Sequence, residues 1–345
     1  MWQSTRPIET AGLVDHIPPV SEGRNRASTS RRRPLSRLAA LAVGAVCFQR
    51  RPVDPDLVAQ LRMDAALTGA PREGNDIVAD TLWEAKRREL RHFLAAENPD
   101  SFMRWPPVRT TMVKRGHRPV SVELRHMRRR ADWRTRWRPA VQEMTLGGPR
   151  PFPRLPTTSA NALHLAYHLC RFEEVTGIRA DATTFVLEFG GGYGGLCRLV
   201  HRLGFRGRYV IFDLPELGAL QRFYLGHAPV PVSTPDDARP QAGVVTVSAV
   251  DELATILKTR PPGIGLFIAT WSLGEVPLAL RDRVFPLVTG FDAFLLGYTA
   301  RFADIDNRVA FERWRHRLPG LAWTELALPH LGKADWYLFG APPRS

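Results

Sequence analysis

The sequence has few cysteines and no long run of apolar residues. Its three cysteines, Cys47, Cys170 and Cys197, have neither the paired spacing of a zinc site nor the density of a disulfide scaffold. They predict a reducing compartment, taken to be the cytoplasm, and no bound metal. The longest apolar candidate, residues 38–48, falls far short of the roughly 18 to 20 residues that a membrane-spanning helix needs. The sequence therefore predicts no membrane span.

The first 52 residues also lack a sustained apolar period. They are rich in Pro, Ser and Arg, and we predict a basic leader with little fixed structure. Residues 30–35, SRRRPL, precede the apolar candidate and loosely resemble a twin-arginine export signal. A disordered leader that runs into a short amphipathic helix explains the same residues, so both interpretations stay open.

Lysine is scarce, and the charge is uneven along the chain. The 345 residues include 48 Lys+Arg and 34 Asp+Glu. Residues 1–150 contain 28 of the basic residues and 16 of the acidic ones. An arginine-rich run at residues 125–138, which contains Trp133 and Trp137, suits contact with phosphates or bases. Arginine dominates the whole chain, however, as a codon bias alone would produce. We therefore expect a solvated or anion-facing arginine surface, and nucleic acid is the disfavoured partner.

Helical patterns give way to an alternation of strands and helices. Residues 56–102 have apolar positions spaced by threes, fours and sevens, which is typical of two amphipathic helices. Ser159 is a candidate cap for a further helix that runs to about Gly177. From residue 184, strand-like and helix-like segments alternate, which predicts a parallel sheet covered by helices. We predict seven strands, at residues 184–189, 208–212, 244–247, 265–271, 293–298, 323–328 and 336–340.

These elements predict a Rossmann-like, doubly wound α/β fold. The last two strands are separated by only a short loop, so they should form an antiparallel hairpin at the end of the seven-stranded sheet. Such a hairpin is typical of class I methyltransferases and less so of dehydrogenases. We place this domain at residues 179–345 and a basic, helical accessory region at residues 53–178.

A glycine-rich turn follows the first predicted strand, in the segment VLEFGGGYGG that starts at Val186. Glycine is needed there because side chains would block both positive φ angles and close approach of a cofactor to the backbone. The glycines fit the methyltransferase pattern E-x-G-x-G-x-G and also the dinucleotide pattern G-x-G-x-x-G. The cofactor-binding residues that we predict in this segment are Glu188, Gly190, Gly191, Gly192, Tyr193 and Gly194.

Three features favour the methyltransferase pattern. Glu188 lies two residues before the first glycine, where methyltransferases place an acid near the methionine moiety. The motif begins past the midpoint of the chain, behind a helical region, and the chain ends in the predicted hairpin. We therefore predict S-adenosyl-L-methionine as the cofactor, with a nicotinamide oxidoreductase as the weaker alternative.

Two acids follow neighbouring strands of the predicted sheet. Asp213 ends the second strand, 23 residues beyond Gly190, where a carboxylate can accept hydrogen bonds from both ribose hydroxyls. Asp251 follows the third strand and is a candidate partner for the adenine amino group. Each acid has an alternative role as the cap of the helix that follows it. Leu214 and Thr270 complete the predicted cofactor set.

The segments EFGGGYGGLCRLVHRLG, YVIFDLPELGALQRFYLG and FIATWSLGEVP resemble the sugar O-methyltransferase family of class I enzymes. The resemblance covers residues 159–340 and is most specific at residues 190–225, where DLPEL, Gln221 and Tyr224 match the family pattern. It implies methyl transfer to a hydroxyl of a sugar or glycan precursor. The leader has no counterpart in the family, and the basic helical region matches only loosely.

Methyl transfer to a hydroxyl needs a base that removes the hydroxyl proton. Reacting groups in doubly wound sheets collect beyond the carboxyl ends of the strands, which favours Glu275 in the loop after the fourth strand. The alternative for Glu275 is a carboxylate that stabilises a helix N-terminus. His330, in the final hairpin loop, is the second candidate, and His164 and His168 come third.

The acceptor is expected to be a small molecule or a glycan, and a phosphorylated or nucleotide-linked one would suit the arginines after the fifth strand. These arginines form either a clamp on such an acceptor or a solvated face; they are Arg301, Arg308, Arg313, Arg315 and Arg317. Two other functions stay open. One is a methyltransferase that acts on RNA or another anionic polymer, and the other is a cofactor-binding partner protein without catalytic activity.

Overall fold

The computed structural model describes residues 48–49, 52–68, 81–114, 116–232 and 242–344. The predicted leader and its apolar candidate therefore lie outside the described residues, apart from Phe48, Gln49 and Pro52. Among the helices that the structure describes, none is both long enough and apolar enough to cross a membrane.

Seven strands form one sheet: β1 Phe185–Phe189, β2 Arg208–Phe212, β3 Gly243–Val247, β4 Gly265–Thr270, β5 Ala293–Thr299, β6 Ala322–Ala327 and β7 Asp335–Ala341. Their order across the sheet is β6-β7-β5-β4-β1-β2-β3. Strands β1 to β5 pair in parallel, whereas β7 is antiparallel to both β5 and β6. This confirms the doubly wound fold with its terminal hairpin, and each predicted strand boundary lies within one residue of the observed one.

The longer helices of the described residues are α1 Pro55–Leu67, α2 Thr81–Ala96, α3 His117–Met127, α4 Ala160–Thr176, α5 Gly195–Arg202, α6 Pro215–Gly226, α7 Val250–Leu257, α8 Leu278–Val288 and α9 Asn307–Arg317. The predicted caps of α4 are confirmed. The Ser159 hydroxyl accepts a hydrogen bond from the Ala162 amide at 3.0 Å, and Gly177 ends the helix in the left-handed conformation.

Helix α3 lies within the predicted helical accessory region, although the sequence prediction placed no individual helix at residues 117–127. Its buried residues Val120, Leu124 and Met127 do recur at helical spacing, but five basic or proline residues interrupt the pattern. Pro119 is tolerated because it lies in the first turn, where the backbone N–H has no partner within the helix. The structure therefore adds α3 to the individual helices that the sequence prediction located.

Each face of the sheet packs against its own layer of helices. On one face, Val186 and Ile211 of the sheet share a core with Leu124 and Trp137 of the accessory region. On the other face, the sheet packs against α7, α8 and α9. Helix α4 contacts both β5 and β7. The accessory region thus contributes to one of the two helical layers, next to α5 and α6. The domain boundary at residue 178 stays a prediction.

A buried ion pair ties the accessory region to the layer next to the sheet. Glu216 of α6 is fully buried, and its carboxylate contacts Arg91 at 2.6 Å and Arg87 at 3.1 Å, both from α2. A buried charge of this kind is costly without its partners. Helix α2 is therefore held against α6, the helix that follows β2.

Candidate cofactor and active site

The strand order reverses between β1 and β4, so the carboxyl ends of these strands diverge and leave a crevice. A cavity of about 550 Å³ lies at this place. Its walls come from the ends of β1, β2 and β4, the glycine turn, helix α4 and residues 110–114 of the accessory region. The location agrees with the general rule for ligand sites in doubly wound sheets.

The glycine turn forms the floor of the cavity. Gly190 and Gly192 have φ angles of +75° and +58°, which disfavour other residues. A Cβ atom on Gly190 would lie 2.3 Å from the Cβ of Ser272, so the turn also leaves no space for a side chain there. The Gly190 amide donates to the Phe212 carbonyl at 2.8 Å, which joins the turn to β2.

Asp213 at the end of β2 faces this turn. Its carboxylate accepts hydrogen bonds from the amides of Gly192 at 2.9 Å and Leu214 at 2.8 Å, and from the Gln221 side chain at 3.0 Å. Burial raises the pKa of Asp213 to about 7, although these three donors oppose the shift. Since Gln221 also donates to the Gly192 carbonyl at 2.8 Å, Asp213 and Gln221 together fix the glycine turn.

Glu188 is the second carboxyl group in the floor of the cavity. It is buried, and the Tyr209 hydroxyl donates to its Oε2 at 2.7 Å. Burial raises the pKa of Glu188 to about 8, and the hydrogen bond from Tyr209 offsets only part of that effect. A cation beside Glu188 would favour its charged form.

The cavity brings together most of the predicted cofactor residues, namely Glu188, Gly190, Gly191, Gly192, Tyr193, Asp213, Leu214 and Thr270. Gly194 instead precedes α5 as its N-cap, with a φ angle of +91°. Asp251 is not brought to the cavity: it lies in the first turn of α7, and its side chain is 89% exposed. Arg283 is 3.9 Å away from it. The structure thus favours the helix-end role for Asp251.

Part of the accessory region forms the wall opposite the sheet, at residues 110–114. The Lys114 amide donates to the Asn161 side chain at 2.8 Å, and Asn161 in turn donates to the Tyr193 hydroxyl at 2.7 Å. This chain of hydrogen bonds joins the accessory wall, α4 and the glycine turn. The sequence prediction had included Tyr193 but neither Asn161 nor Lys114.

Glu275 lines the same cavity, in the helical turn Leu273–Glu275 that follows β4. Burial raises the pKa of Glu275 to about 7. No side chain in the part of the chain that the structure describes is hydrogen-bonded to its carboxylate. Both oxygens are therefore available to a bound ligand.

A buried carboxylate that the sequence did not reveal, Glu123 of α3, holds two histidines. Its Oε1 is 2.8 Å from Nδ1 of His164 and 3.2 Å from Nε2 of His330. Burial alone would raise the pKa of Glu123, but the hydrogen bonds from these histidines outweigh it and lower the pKa to about 2. His164 lines the cavity, whereas His330 lies behind it, next to Glu123. The one indication of this role in the sequence is that Glu123, a charged residue, lies on the apolar face of α3.

The far end of the cavity is aromatic. His168 lines it, and its Nδ1 is 2.5 Å from the Tyr337 hydroxyl. Burial, together with the charge of His164, holds the pKa of His168 well below its usual range. Trp271 lies 5.4 Å from His168 between ring centroids and has a positive φ of 48°. The Trp271 indole donates to Asp335 at 3.0 Å, which fixes the ring in place.

The arginines after β5 do not form a clamp at the cavity. Arg308 pairs with Glu325 at 3.0 Å, and Arg315 pairs with Glu312 at 2.7 Å. Helix α9, which carries both arginines, packs on the face of the sheet served by α7 and α8. The structure supports the solvated-face interpretation of these residues.

One group of potential metal ligands occurs among the residues that the structure covers: His126, Cys170 and Glu174. The Glu174 oxygens, however, already contact Arg171 at 2.6 Å and Arg130 at 3.4 Å. Two guanidinium charges at the acidic member of this group oppose the binding of a cation.

The strand order, the antiparallel β7 and the glycine turn that faces Asp213 define the fold of class I methyltransferases. No protein-family model matches this sequence. No curated protein matches it either.

Several solved structures are similar in fold. The fibrillarin of Aeropyrum pernix, solved with natively bound S-adenosyl-L-methionine, aligns at a TM-score of 0.34 and 11% identity over 50% of this chain and 74% of that one. The methyltransferase domain of a bacterial Hen1 aligns at 0.35 and 11% identity over 52% and 97%. The 16S rRNA methylase ArmA aligns at 0.32 and 9% identity over 51% and 82%.

Proposed function

We propose that this protein is an S-adenosylmethionine-dependent methyltransferase that methylates a hydroxyl group of a sugar-type acceptor. The observation that carries the proposal is one cavity lined by the glycine turn, by three carboxyl groups with raised pKa values and by His164. The three carboxyl groups belong to Glu188, Asp213 and Glu275.

The floor of the cavity supports the choice of cofactor. The bare backbone of Gly190 and Gly192 suits a nucleoside placed across the turn, with Asp213 at the position of its ribose. S-adenosylmethionine carries a sulfonium charge, and Glu188 and Glu275 offer carboxylates that a cation would keep ionised. A nicotinamide cofactor could also use Asp213 at its ribose, but its two anionic phosphates gain nothing from Glu188 and Glu275.

The reaction is a displacement at the sulfonium methyl group. The acceptor oxygen forms a bond to the methyl carbon as the carbon–sulfur bond breaks, and the products are a methyl ether and S-adenosylhomocysteine. The hydroxyl proton must leave, and we propose that Glu275 takes it, since its raised pKa makes its carboxylate a stronger base at neutral pH. His164, held by Glu123, is then a hydrogen-bonding partner of the acceptor oxygen. His330, behind the cavity, acts through Glu123.

The far end of the cavity supports a polar, ring-shaped acceptor. Trp271 and His168 offer ring faces, and His164 and Asp335 offer hydrogen-bonding groups. A cavity of about 550 Å³ whose lining includes His164, His168 and Trp271 besides the cofactor residues favours an enzyme over a binding protein without activity. The proposal keeps a cytoplasmic location, which the free cysteines Cys170 and Cys197 favour.

We expect the affinity for S-adenosylmethionine to rise with pH. The pKa values of Glu188, Asp213 and Glu275 are raised to about 8, 7 and 7 in the protein, so part of these groups is protonated at neutral pH. A bound cation favours the ionised forms, and binding then releases protons. For each proton released, affinity rises about tenfold per pH unit up to about pH 8. Calorimetric titration between about pH 6 and pH 8, in buffers with different ionisation enthalpies, measures both the affinity and the number of protons released on binding.

Two controls accompany this titration. S-adenosylhomocysteine lacks the sulfonium charge and is expected to show the weaker pH dependence. Glu188→Gln keeps an acceptor for the Tyr209 hydroxyl but removes one titrating group, so it should reduce proton release, whereas Glu97→Gln, at an exposed position, should not. Binding of S-adenosylmethionine with no proton release at any pH would contradict the role of the three carboxyl groups.

A further inference from the structure

One stretch of the accessory region carries most of the net charge of the protein. Residues 101–155 contain 14 Lys+Arg and 3 Asp+Glu, a surplus of 11 positive charges in a chain whose formal net charge is +14. The same stretch supplies the accessory wall of the cavity at residues 110–114. A concentrated positive potential therefore borders the proposed active site.

The three acids of this stretch do not neutralise its surface. Glu123 and Glu143 are buried, with 0% and 2% of their surface exposed. Glu143 faces the buried Arg198 at 3.6 Å, and Asp132 pairs with Arg130 at 2.9 Å. The exposed arginines of the stretch have no ion pair with any described acid; those around α3 are Arg118, Arg125, Arg128, Arg129 and Arg154.

These arginines form a stripe, which the exposed side chain of Val122 interrupts between Arg118 and Arg125. Arg118 and Arg125 lie on the outer face of α3, and Arg129 continues that face just beyond the helix end, at helical spacing. Arg128 donates to the Arg154 carbonyl at 3.0 Å, which brings Arg154 beside the end of the stripe. At 1.5 Å per residue, the stripe from residue 118 to residue 129 is about 16 Å long.

One end of the stripe lies close in sequence to the cavity wall. Lys114 lines the cavity and lies three residues before the first residue of α3 and four before Arg118. The inner face of the same helix carries Glu123, which holds His164 in the cavity wall. A ligand on the outer face of α3 that extends past the start of the helix therefore approaches the accessory wall of the cavity.

The stripe differs in part from the arginines of α9. There, Arg308 and Arg315 are neutralised by Glu325 and Glu312. The exposed Arg313 and Arg317 of α9 have no ion pair among the described residues, but they do not border the cavity. The abundance of arginine in the chain explains why arginines are there, but not why those around α3 lack acidic partners among the described residues. An unneutralised stripe creates a positive potential that attracts anionic ligands.

We propose that the outer face of α3 binds the phosphates of an RNA strand, and that a ribose hydroxyl of this strand is the methyl acceptor. The inference rests on the proposed function, which supplies the sugar hydroxyl. A stripe of about 16 Å spans more than one phosphate, so it suits a polymer rather than a small phosphorylated sugar. Among nucleic acids, RNA combines repeated phosphates with a free sugar hydroxyl, since DNA lacks the 2′-hydroxyl.

The contacts are expected to involve the backbone of the strand and not its bases. Trp133 and Trp137, the tryptophans nearest in sequence to the stripe, are 7% and 0% exposed and so are not available for stacking. Guanidinium groups form paired hydrogen bonds with phosphate oxygens. Binding should therefore depend little on sequence and strongly on salt.

The test uses the full chain and a fluorescent single-stranded RNA oligonucleotide, with anisotropy measured over a range of salt concentrations. Wild-type protein should bind RNA, and the logarithm of its affinity should fall linearly with the logarithm of salt. The triple variant Arg118→Gln/Arg125→Gln/Arg129→Gln should bind at least about tenfold more weakly at low salt, with a slope reduced by about 0.7 for each arginine–phosphate ion pair that the substitutions remove. Arg301→Gln/Arg313→Gln/Arg317→Gln removes the same charge from exposed positions elsewhere and should bind as the wild type does.

A transfer assay with radiolabelled S-adenosylmethionine completes the test. Label should enter RNA, and not DNA of the same sequence. Salt-independent binding, equal binding by the two triple variants, or label in DNA would each overturn the inference, and tighter binding of heparin than of RNA would assign the stripe to an acidic glycan instead. S-adenosylhomocysteine binding is measured alongside and should be equal in both triple variants. Its absence in the wild type would contradict the proposed function, so the two failures are distinguishable.

Discussion

Gly192→Asp is expected to weaken the binding of S-adenosylmethionine and S-adenosylhomocysteine by about 100-fold or more, which corresponds to about 2.7 kcal/mol. A Cβ atom on Gly192 would point across the cavity and lie 3.4 Å from the Met112 side chain in the accessory wall. The added carboxylate would therefore fill the space that the cofactor needs. Aspartate tolerates the left-handed φ of +58° better than most residues, so the fold should persist.

Gly320→Asp is the matched control for this substitution. Gly320 is exposed, and a Cβ atom there would meet nothing within 4 Å. Both variants should give the far-ultraviolet circular dichroism of the wild type, and only the cavity variant should lose binding in calorimetry. Wild-type affinity in a folded Gly192→Asp protein would place the cofactor elsewhere.

Glu275→Gln is expected to lower kcat by about 100-fold to 10,000-fold and to leave cofactor affinity nearly unchanged. The substitution keeps the shape of the side chain but removes the carboxylate whose pKa is raised to about 7. Turnover of the wild type should fall as the pH drops through the pKa of Glu275 in the ternary complex. Single-turnover measurements with an identified acceptor test this expectation.

His164→Gln is the variant that separates Glu275 from His164 as candidate bases. If Glu275 is the base, His164→Gln should mainly raise KM for the acceptor, because His164 then only positions the acceptor oxygen against the methyl group. Glu123→Gln should resemble it, since Glu123 acts through His164. The opposite pattern, with kcat lost in His164→Gln and preserved in Glu275→Gln, would contradict the role of Glu275 and assign the base to His164.

The sheet and the glycine turn are predictable from the sequence because their signals are local. Buried parallel strands are continuous apolar runs, such as FVLEF and RYVIF, and each run here is bounded by turn residues. The positive φ angles of Gly190 and Gly192 belong to one tight turn, and the glycines themselves indicate such a turn in the sequence. The position of Asp213 follows from the length of one helix and one strand.

The rest of the site depends on contacts between distant segments. Glu123 is 41 residues from His164 and 207 residues from His330, and no sequence periodicity reports such contacts. Asp251 shows that, even over a short stretch of sequence, the position of a residue does not fix the direction of its side chain. The sequence correctly places it after β3, but in a helix each residue rotates the side chain by about 100°, so the first turn of α7 directs Asp251 to solvent.

The structure divides the basic accessory region into an interior that contributes to the cavity and an exterior that carries positive charge. Its interior completes the cavity through residues 110–114 and holds His164 through Glu123, and its exterior carries the arginine stripe. The same helix, α3, thus contributes to the proposed chemistry on one face and to the proposed recognition of the acceptor on the other. Sequence composition showed the charge but not this division.

Calorimetric titration of the wild-type protein with S-adenosylmethionine, S-adenosylhomocysteine and NADH tests the central claim most directly. We predict micromolar binding of both sulfur nucleosides, with one site per chain, and no binding of NADH. Binding of NADH alone would contradict the assignment of the cavity to S-adenosylmethionine.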